Sequence, residues 1–340
     1  MAEIKRNYWM VAAGDQSRSY AEVLLQFGLL LLGSGNPGPF KGHEDWYRGN
    51  PTEKYIAWLG EEVQVKDRVI LRDPYKGALV AVGQVTGDID WKENFEDVEG
   101  WDIQHCRKVR WKVAKSSREA PGRGMRLNRV HDPALTEWAD EAWATGDDHP
   151  VQKLPPLPSE VSDEELVQRL IGIGLAVAGA EAVTVAIRRV RRLATWYQKS
   201  GRDVSELETR TFLIVPLLLA LGWPEQRIKI EWNGLDIALF RYPYGCDEDE
   251  KDNPCIMILE SKRLGDGLFL AEGQAKSASE KFPSCSELVV SDGICYRLYH
   301  RGTKAWDWKA YVNILKMRNR HPYHEKTGGA LDVFTSLLPK

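Results

Sequence analysis

The stretch Lys153-Leu-Pro-Pro-Leu-Pro-Ser159 sets the first limit on how this chain folds. Proline lacks an amide donor and holds its predecessor in extended geometry, so Pro155, Pro156 and Pro158 together interrupt both helix and sheet. The 340 residues are enough for two cores, one on each side of that interruption. The expected organisation is a first domain over 1–150, a proline-rich linker over 151–160, and a second domain over 161–340.

The bulk composition narrows the class. Hydrophobic residues make up 43% and charged residues 28%, the balance of a globular chain rather than a disordered one. No segment approaches the ~18 uninterrupted apolar residues of a membrane helix, and no basic start, apolar run and small-residue cleavage site combine near the N-terminus. The expected address is the cytoplasm, with no membrane partner. Cys106, Cys246, Cys255, Cys285 and Cys295 form no CxxC pair, and their odd number argues against a disulfide framework. The net charge of −3 does not announce a nucleic-acid binder. Basic residues nevertheless cluster at Arg107, Lys108, Arg110 and Lys112, at Arg118, Arg123, Arg126 and Arg129, and at Arg188, Arg189, Arg191 and Arg192, while acids gather over Asp247 to Asp252. Each basic cluster is either ordinary solvated charge or part of a phosphate-tracking surface.

Patterning predicts an α/β and α+β protein of two domains. Before the prolines, short apolar or alternating runs at Tyr8 to Ala12, Gly28 to Leu32, Arg68 to Arg72, Leu79 to Gly87 and Arg107 to Val113 read as strands of a small barrel-like sheet. Helices are expected at Arg18 to Phe27 and Tyr55 to Glu62. After the prolines, Asp163 to Lys199 has helical periodicity, with Ser162 and Glu165 spelling a capping box. A helix from about Glu206 to Leu221, extended runs at Ile228 to Phe240 and Cys255 to Lys262, a helix at Leu268 to Lys281, and strands at Glu287 to Ser291 and Ile294 to Tyr299 complete an α/β order.

Three side chains in that order point to chemistry. Asp236 sits inside the apolar run Leu-Asp-Ile-Ala-Leu-Phe, where a lone carboxylate is costly without a partner. Glu260 and Lys262 follow in Ile-Leu-Glu-Ser-Lys, and the two-residue period of a strand turns both to one face. In a hairpin the three converge. Carboxylates so placed would hold a hard divalent ion, Mg²⁺ or also Mn²⁺, and a neighbouring lysine would position water and offset developing charge on a phosphate. The alternative is a structural ion pair between Lys262 and Glu260; Asp236 nearby favours catalysis.

Asp236 and Glu260-Ser-Lys262 resemble the motif of the PD-(D/E)xK nucleases, over about Val204 to Tyr299. That resemblance implies a mixed sheet flanked by helices. It makes Glu208, in Glu206-Leu-Glu-Thr-Arg-Thr-Phe212, an accessory acid and metal ligand, and Gln274 a catalytic-site glutamine as in the branch related to type I restriction subunits. Val289-Val-Ser-Asp-Gly293 also matches a phrase of that branch, whereas Ala278 replaces its usual tyrosine. Ser205 and Glu208 equally spell a capping box, which would give Glu208 a helix-start role instead.

In the first domain, Asn7 to Gly14, Gly28 to Gly33, Lys66 to Arg72, Val80 to Gly87 and His105 to Trp111 resemble the EVE branch of PUA-like domains, related to YTH domains. The resemblance implies a small barrel that binds nucleic acid and stacks a modified base between aromatic rings. Trp9, Trp46, Trp91 and Trp101 are the candidate surfaces, with Ser34 and Asn36 as polar contacts; Trp58 is expected in the core. For Trp46, Trp91 and Trp101, cage and core remain open. His43 and His105 lack paired spacing and are expected to be structural or superficial.

Together the two resemblances imply a modification-dependent DNA endonuclease of bacterial antiphage defence, acting as a homodimer for double-strand cleavage. An RNA-directed or ligand-triggered nuclease, and a non-catalytic nucleic-acid-binding protein, are the alternatives.

Overall fold

The computed structural model describes residues 6–34, 37–122, 125–244, 253–303 and 305–340, the side chain of Leu270 aside. Asn36, Arg123, Cys246 and the acidic run from Asp247 to Asp252 lie outside the described residues. The chain divides into two compact units, Met1–Pro156 and Leu157–Lys340, and the division falls inside the proline-rich stretch.

The first unit contains β1 (Tyr8–Ala12), α1 (Ala21–Phe27), β2 (Leu29–Leu32), α2 (Glu44–Gly49), α3 (Lys54–Glu61), β3 (Arg68–Asp73), β4 (Ala78–Trp91), β5 (His105–Glu119), β6 (Leu127–Arg129), α4 (Pro133–Thr145) and β7 (Asp147–Asp148). The sheet runs β2-β5-β4-β3-β1-β6, with β7 also paired to β5. β1 and β3 are parallel and β3, β4 and β5 antiparallel. Register shifts interrupt β4 against β5 at Leu79/Ala81 and Val85/Ile89, and such bulges bend long strands. β2 and β6 end the path without pairing to each other, so the expected barrel is a curled open sheet among the described residues. α4 was absent from the sequence expectations, although Asp132 caps it by accepting from the Ala134 amide and Pro133 occupies its first turn. Its Leu135, Ala139 and Ala142 pack on Met10, Ile70, Leu79 and Val82.

The second unit contains α5 (Asp163–Gly172), α6 (Val177–Ser200), α7 (Glu206–Thr209), α8 (Val215–Ala220), β8 (Ile228–Trp232), β9 (Leu235–Phe240), β10 (Cys255–Ser261), α9 (Phe269–Ser279), β11 (Glu287–Ser291), β12 (Cys295–Arg301), β13 (Trp306–Asn313) and α10 (Ala330–Ser336). The predicted single helix over Asp163 to Lys199 breaks between α5 and α6, where Gly174 adopts a φ of 106° that other residues avoid. The Ser162–Glu165 capping box forms at the start of α5. Between α7 and α8 the helix widens into a π-helical stretch, Arg210–Ile214. Pro216 follows two residues after it and has no amide to donate back to Phe212, so the regular ladder is already broken there.

The predicted extended run over Ile228 to Phe240 is a hairpin, β8 and β9, turned by Asn233 and Gly234 at φ 51° and 80°. The sheet order is β13-β12-β11-β10-β9-β8. β10 and β11 are parallel and the other pairs antiparallel. Every residue of β10 is buried, because both faces of the sheet are covered. Ile237, Leu239, Leu259 and Val289 face the core that includes α5, α6, α8 and α10. Ala238, Phe240, Ile258, Leu288 and Val290 face Ala271 and Ala275 of α9. Each such buried valine, leucine or isoleucine contributes roughly 2 kcal/mol.

Candidate functional site

β9 and β10 are antiparallel with Ile237 opposite Leu259, so Asp236 and Glu260 stand one step further as facing residues at the end of the pair. The Asp236 Oδ2 accepts from the Ser261 amide at 2.7 Å and the Ser261 hydroxyl at 2.8 Å. Its Oδ1 accepts from Arg210 Nη2 at 2.6 Å. The partner that an acid in an apolar strand requires is therefore Arg210, supplied by the π-helical stretch. Arg210 is itself buried and also reaches Glu231 Oε1 at 3.0 Å, Ser261 Oγ at 3.3 Å and Glu206 Oε1 at 3.4 Å.

Lys262 continues past β10, its amide donating to the Ser291 carbonyl at 2.8 Å. Its Nζ lies 3.9 Å from Glu206 Oε2. The next loop is fixed by two bonds: the Leu264 amide donates to Thr209 Oγ1 at 3.2 Å, and the Gly265 amide to Asp292 Oδ2 at 3.2 Å. Asp292 also accepts from the Ile294 and Cys295 amides at 3.1 and 2.7 Å. Burial pushes its carboxyl up to about 6 despite those three amides.

Glu260 is 8% exposed, and its Oε2 has no hydrogen-bond partner. Burial first, then the charges of Asp236 and Glu206, push its carboxyl up to about 7, with Lys262 opposing. Glu206 is raised by burial and by Asp236, with Lys262 and Arg210 opposing. The cluster thus holds three carboxylates, Glu206, Asp236 and Glu260, against two cations, Arg210 and Lys262, with the exposed Glu231 carboxylate also on Arg210.

The structure turns Glu208 elsewhere. Its Oε2 accepts from the Ser205 amide at 3.1 Å and the Ser205 hydroxyl at 3.0 Å, and its Oε1 from Arg202 Nη2 at 2.6 Å. The capping box fixes Glu208, and the acid two residues earlier faces the cluster in its place. The signal for Glu206 was present in the sequence: once Ser205 and Glu208 are paired as a cap, Glu206 is the acid left one helical turn before Arg210. Gln274 is also not brought in. It is exposed on α9 and bonds to no described residue, while its neighbours Glu272 and Lys276 pair with each other at 2.5 Å and Glu272 meets Arg297 at 3.1 Å.

Among the described residues no group of three or more His, Cys, Asp or Glu is spaced as a metal cage. Magnesium is commonly held by one or two carboxylates and completed by substrate phosphate and water. Asp236 and Glu260 fit that smaller requirement, because the orphaned, buried Glu260 Oε2 is a hard donor with its demand unmet.

In the first unit, Trp46 and Trp91 belong to one aromatic group. The Trp91 ring lies 4.8 Å from His105, His105 5.2 Å from Tyr47, and Tyr47 5.0 Å from Trp46. His105 is fully buried and its pKa is lowered to about 4 by that burial, partly offset by the Gly38 and Ser34 backbone. Trp101 packs apart from them, edge-on to Tyr20 at 5.0 Å with the Arg18 guanidinium 3.5 Å above it. Trp9 is 1% exposed and donates to Asp67 Oδ2 at 2.9 Å, which makes it core rather than a stacking surface. Trp58 is half-buried under Lys54 rather than fully in the core. The Ser34 amide donates to Glu53 at 3.3 Å. His43 bonds the Pro39 carbonyl, a structural contact.

A cavity of about 480 Å³ opens at the end of β1, lined by Asp15, Ser17, Arg72 and Arg126 among others. Arg126 also reaches the Gly33 carbonyl and the Tyr55 hydroxyl, which ties the cavity wall to the glycine-rich turn. Asp15 and Arg72 carry no functional signal in the sequence, only ordinary charge in a turn and a strand.

No known family profile matches the sequence, and no curated protein matches it. Among solved structures, protein Atu2648 of Agrobacterium tumefaciens is similar at 12% identity, over 42% of this chain and 99% of that one, with a TM-score of 0.25. The Pho92 YTH domain in complex with m6A is similar at 13% identity, over 39% and 66%, with a TM-score of 0.21. The YTH domain of Zygosaccharomyces rouxii MRB1, in complex with N6-methyladenosine RNA, is similar at 16% identity, over 46% and 83%, with a TM-score of 0.20.

Proposed function

We propose that the second unit hydrolyses phosphodiester bonds in DNA and that the first unit selects a modified base, so that the chain acts as a modification-dependent endonuclease of antiphage defence. The observation that carries the catalytic half is the cluster itself: Glu206, Asp236, Glu260, Arg210 and Lys262 gathered where β9 and β10 end, with a buried carboxylate oxygen left unpartnered.

In this reading Asp236 and Glu260 hold Mg²⁺ or Mn²⁺. An ion held there would supply charge stabilisation for the phosphate and a lowered pKa for water. Lys262, kept in place by Ser291 and by the Asp292-anchored loop, orients the attacking water and offsets negative charge developing on the phosphate. Arg210 holds the Asp236 carboxylate in one orientation against Ser261. Glu206 sets the position of the Lys262 ammonium. The selecting half rests on the resemblance to EVE domains and on the Trp46, Tyr47, Trp91 and His105 group, with the arginine-lined cavity beside the Gly33 turn as a recess for the same ligand. Cleavage of both strands would use two copies of the chain, since one such cluster attacks one strand.

The test is digestion of matched phage genomes carrying unmodified, methylated, hydroxymethylated and glucosylated cytosine, with RNA and N6-methyladenine DNA alongside, with and without Mg²⁺. Mg²⁺-dependent cutting of a modified genome that Asp236→Ala and Lys262→Ala both lose supports the reading. Undiminished cutting by either variant removes the site, and no cutting of any substrate removes the activity.

A further inference from the structure

The arginine cluster on α6 divides into two halves with different tasks. Arg188 and Arg191 are tied inward: Arg188 Nε bonds Asp163 at 2.7 Å, and Arg191 bonds Asp163 at 3.0 Å and the Ile314 carbonyl at 2.7 Å. Arg189 and Arg192 are exposed and pair with no described residue. They continue along the helix with Trp196 and Lys199, at steps of three, four and three residues, which places all four on one stripe. That stripe lies opposite the face made by Val183, Ile187, Val190, Ala194 and Tyr197, which is buried in the unit's core. Trp196 is 51% exposed in the middle of the row.

We propose that this outward face of α6 is a track for single-stranded nucleic acid, with Arg189, Arg192 and Lys199 on the phosphates and Trp196 stacked on a base between them. The cations span about 15 Å of helix, a length of backbone rather than a single anion. Cations on both sides of an aromatic are the chemistry of single-strand channels, because only an unpaired base offers its flat face for stacking. An anionic bilayer fits less well. Membrane-surface helices insert an apolar face, and that of α6 is already spent in the core, leaving Val177, Val185 and Trp196 as its exposed large apolar side chains among the described residues. The one acid on the stripe's line, Glu181, lies two turns beyond Arg189 at the far end.

The track also points somewhere. α6 ends at Gly201, with φ 63°, and five residues later Glu206 enters the acidic cluster. A strand lying on the stripe would be led to the end of β9 and β10. This last step rests on the nuclease reading; the binding itself does not.

The experiment uses the full chain without divalent ions, a fluorescent thymidine oligonucleotide, a duplex of equal length, and vesicles of phosphatidylcholine and phosphatidylserine. Arg189→Ala with Arg192→Ala should weaken single-strand binding at least tenfold and lower the slope of log affinity against log salt by about 1.4, the single-strand value for two phosphates. Trp196→Ala should weaken single-strand binding at least fivefold and leave duplex binding unchanged. Circular dichroism should be unaltered in both variants, and melting unaltered in the arginine variant and only slightly lowered in Trp196→Ala, since Arg189 and Arg192 are exposed and Trp196 meets the core at Tyr197, 5.2 Å away. Unchanged single-strand affinity and salt slope, or a preference for the vesicles lost in the same variants, would overturn the track. If the track fails while Mg²⁺-dependent cutting persists, the nuclease reading survives it; if the track binds but nothing is ever cut, the nuclease reading falls alone.

Discussion

Arg210 Nη2 and Asp236 Oδ1 meet at 2.6 Å inside the second unit, with 5% and 15% of the two side chains exposed. Removing one partner of a buried pair leaves an uncompensated charge, at a cost of roughly 3 kcal/mol or more. Arg210→Ala should therefore lower the urea midpoint strongly, and Arg210→Ala combined with Asp236→Asn should recover part of the loss. Additive losses in that double-mutant cycle would mean the two side chains are not coupled.

The acids of α7 should separate by task. Glu208→Ala removes a cap and should cost about 1 kcal/mol in stability without changing cleavage. Glu206→Gln should lower cleavage at least tenfold with little change in melting, because it releases Lys262. Initial rates and melting curves on the same preparations decide it; a cleavage defect in Glu208→Ala alone would reverse the assignment.

Base selection should follow the aromatic grouping. Trp91→Ala and Trp46→Ala should each reduce the preference for modified over unmodified substrate, whereas Trp101→Ala, whose indole lies edge-on to Tyr20 and under Arg18, should mainly destabilise the first unit. Cleavage ratios on paired substrates read this directly, and an unchanged ratio in both Trp46→Ala and Trp91→Ala would remove them from base selection.

His105 gives the first unit an acid sensitivity. Its native pKa is lowered to about 4 against an ordinary 6.5, so below pH 6.5 the unfolded chain takes up a proton that the folded one refuses. The stabilisation is complete above pH 6.5 and is lost as pH falls towards 4, by roughly 3 kcal/mol. Melting at pH 7, 5.5 and 4.5 should show that loss, and His105→Gln should flatten it. A parallel pH dependence in the variant would assign the sensitivity to other groups.

Much of the scaffold was legible because its signals are local. β1 over Tyr8–Ala12 is a short continuous apolar run, and the Ser162 cap is a three-residue spacing to Glu165. Asp236 and Glu260 were legible as a pair because an acid in an apolar strand demands an explanation. Arg210 was not, since its role depends on a widened helical turn that brings it 2.6 Å from a residue 26 positions away. α4, β13 and α10 were passed over because their patterns are weaker than the tertiary contacts that hold them, as with Leu135 and Ala139 of α4 against Ile70 and Leu79. The tryptophans were equivocal for a related reason. Trp9 and Trp91 both stand in or beside strands, and only packing separates an indole that donates to Asp67 from one edge-on to His105.

The wide turn at Arg210–Ile214 accommodates one residue more than a regular helix would. An inserted residue rotates the helix on its N-terminal side by about 100° relative to the helix on its C-terminal side. The guanidinium and the leucines of α8 thus keep separate azimuths: Leu217 and Leu218 are seated in the core while Arg210 is aimed at the strand ends. Chain length across this segment is accordingly constrained in its own right, and the loss of a single position there would disconnect Asp236 from its cation even with every other side chain intact.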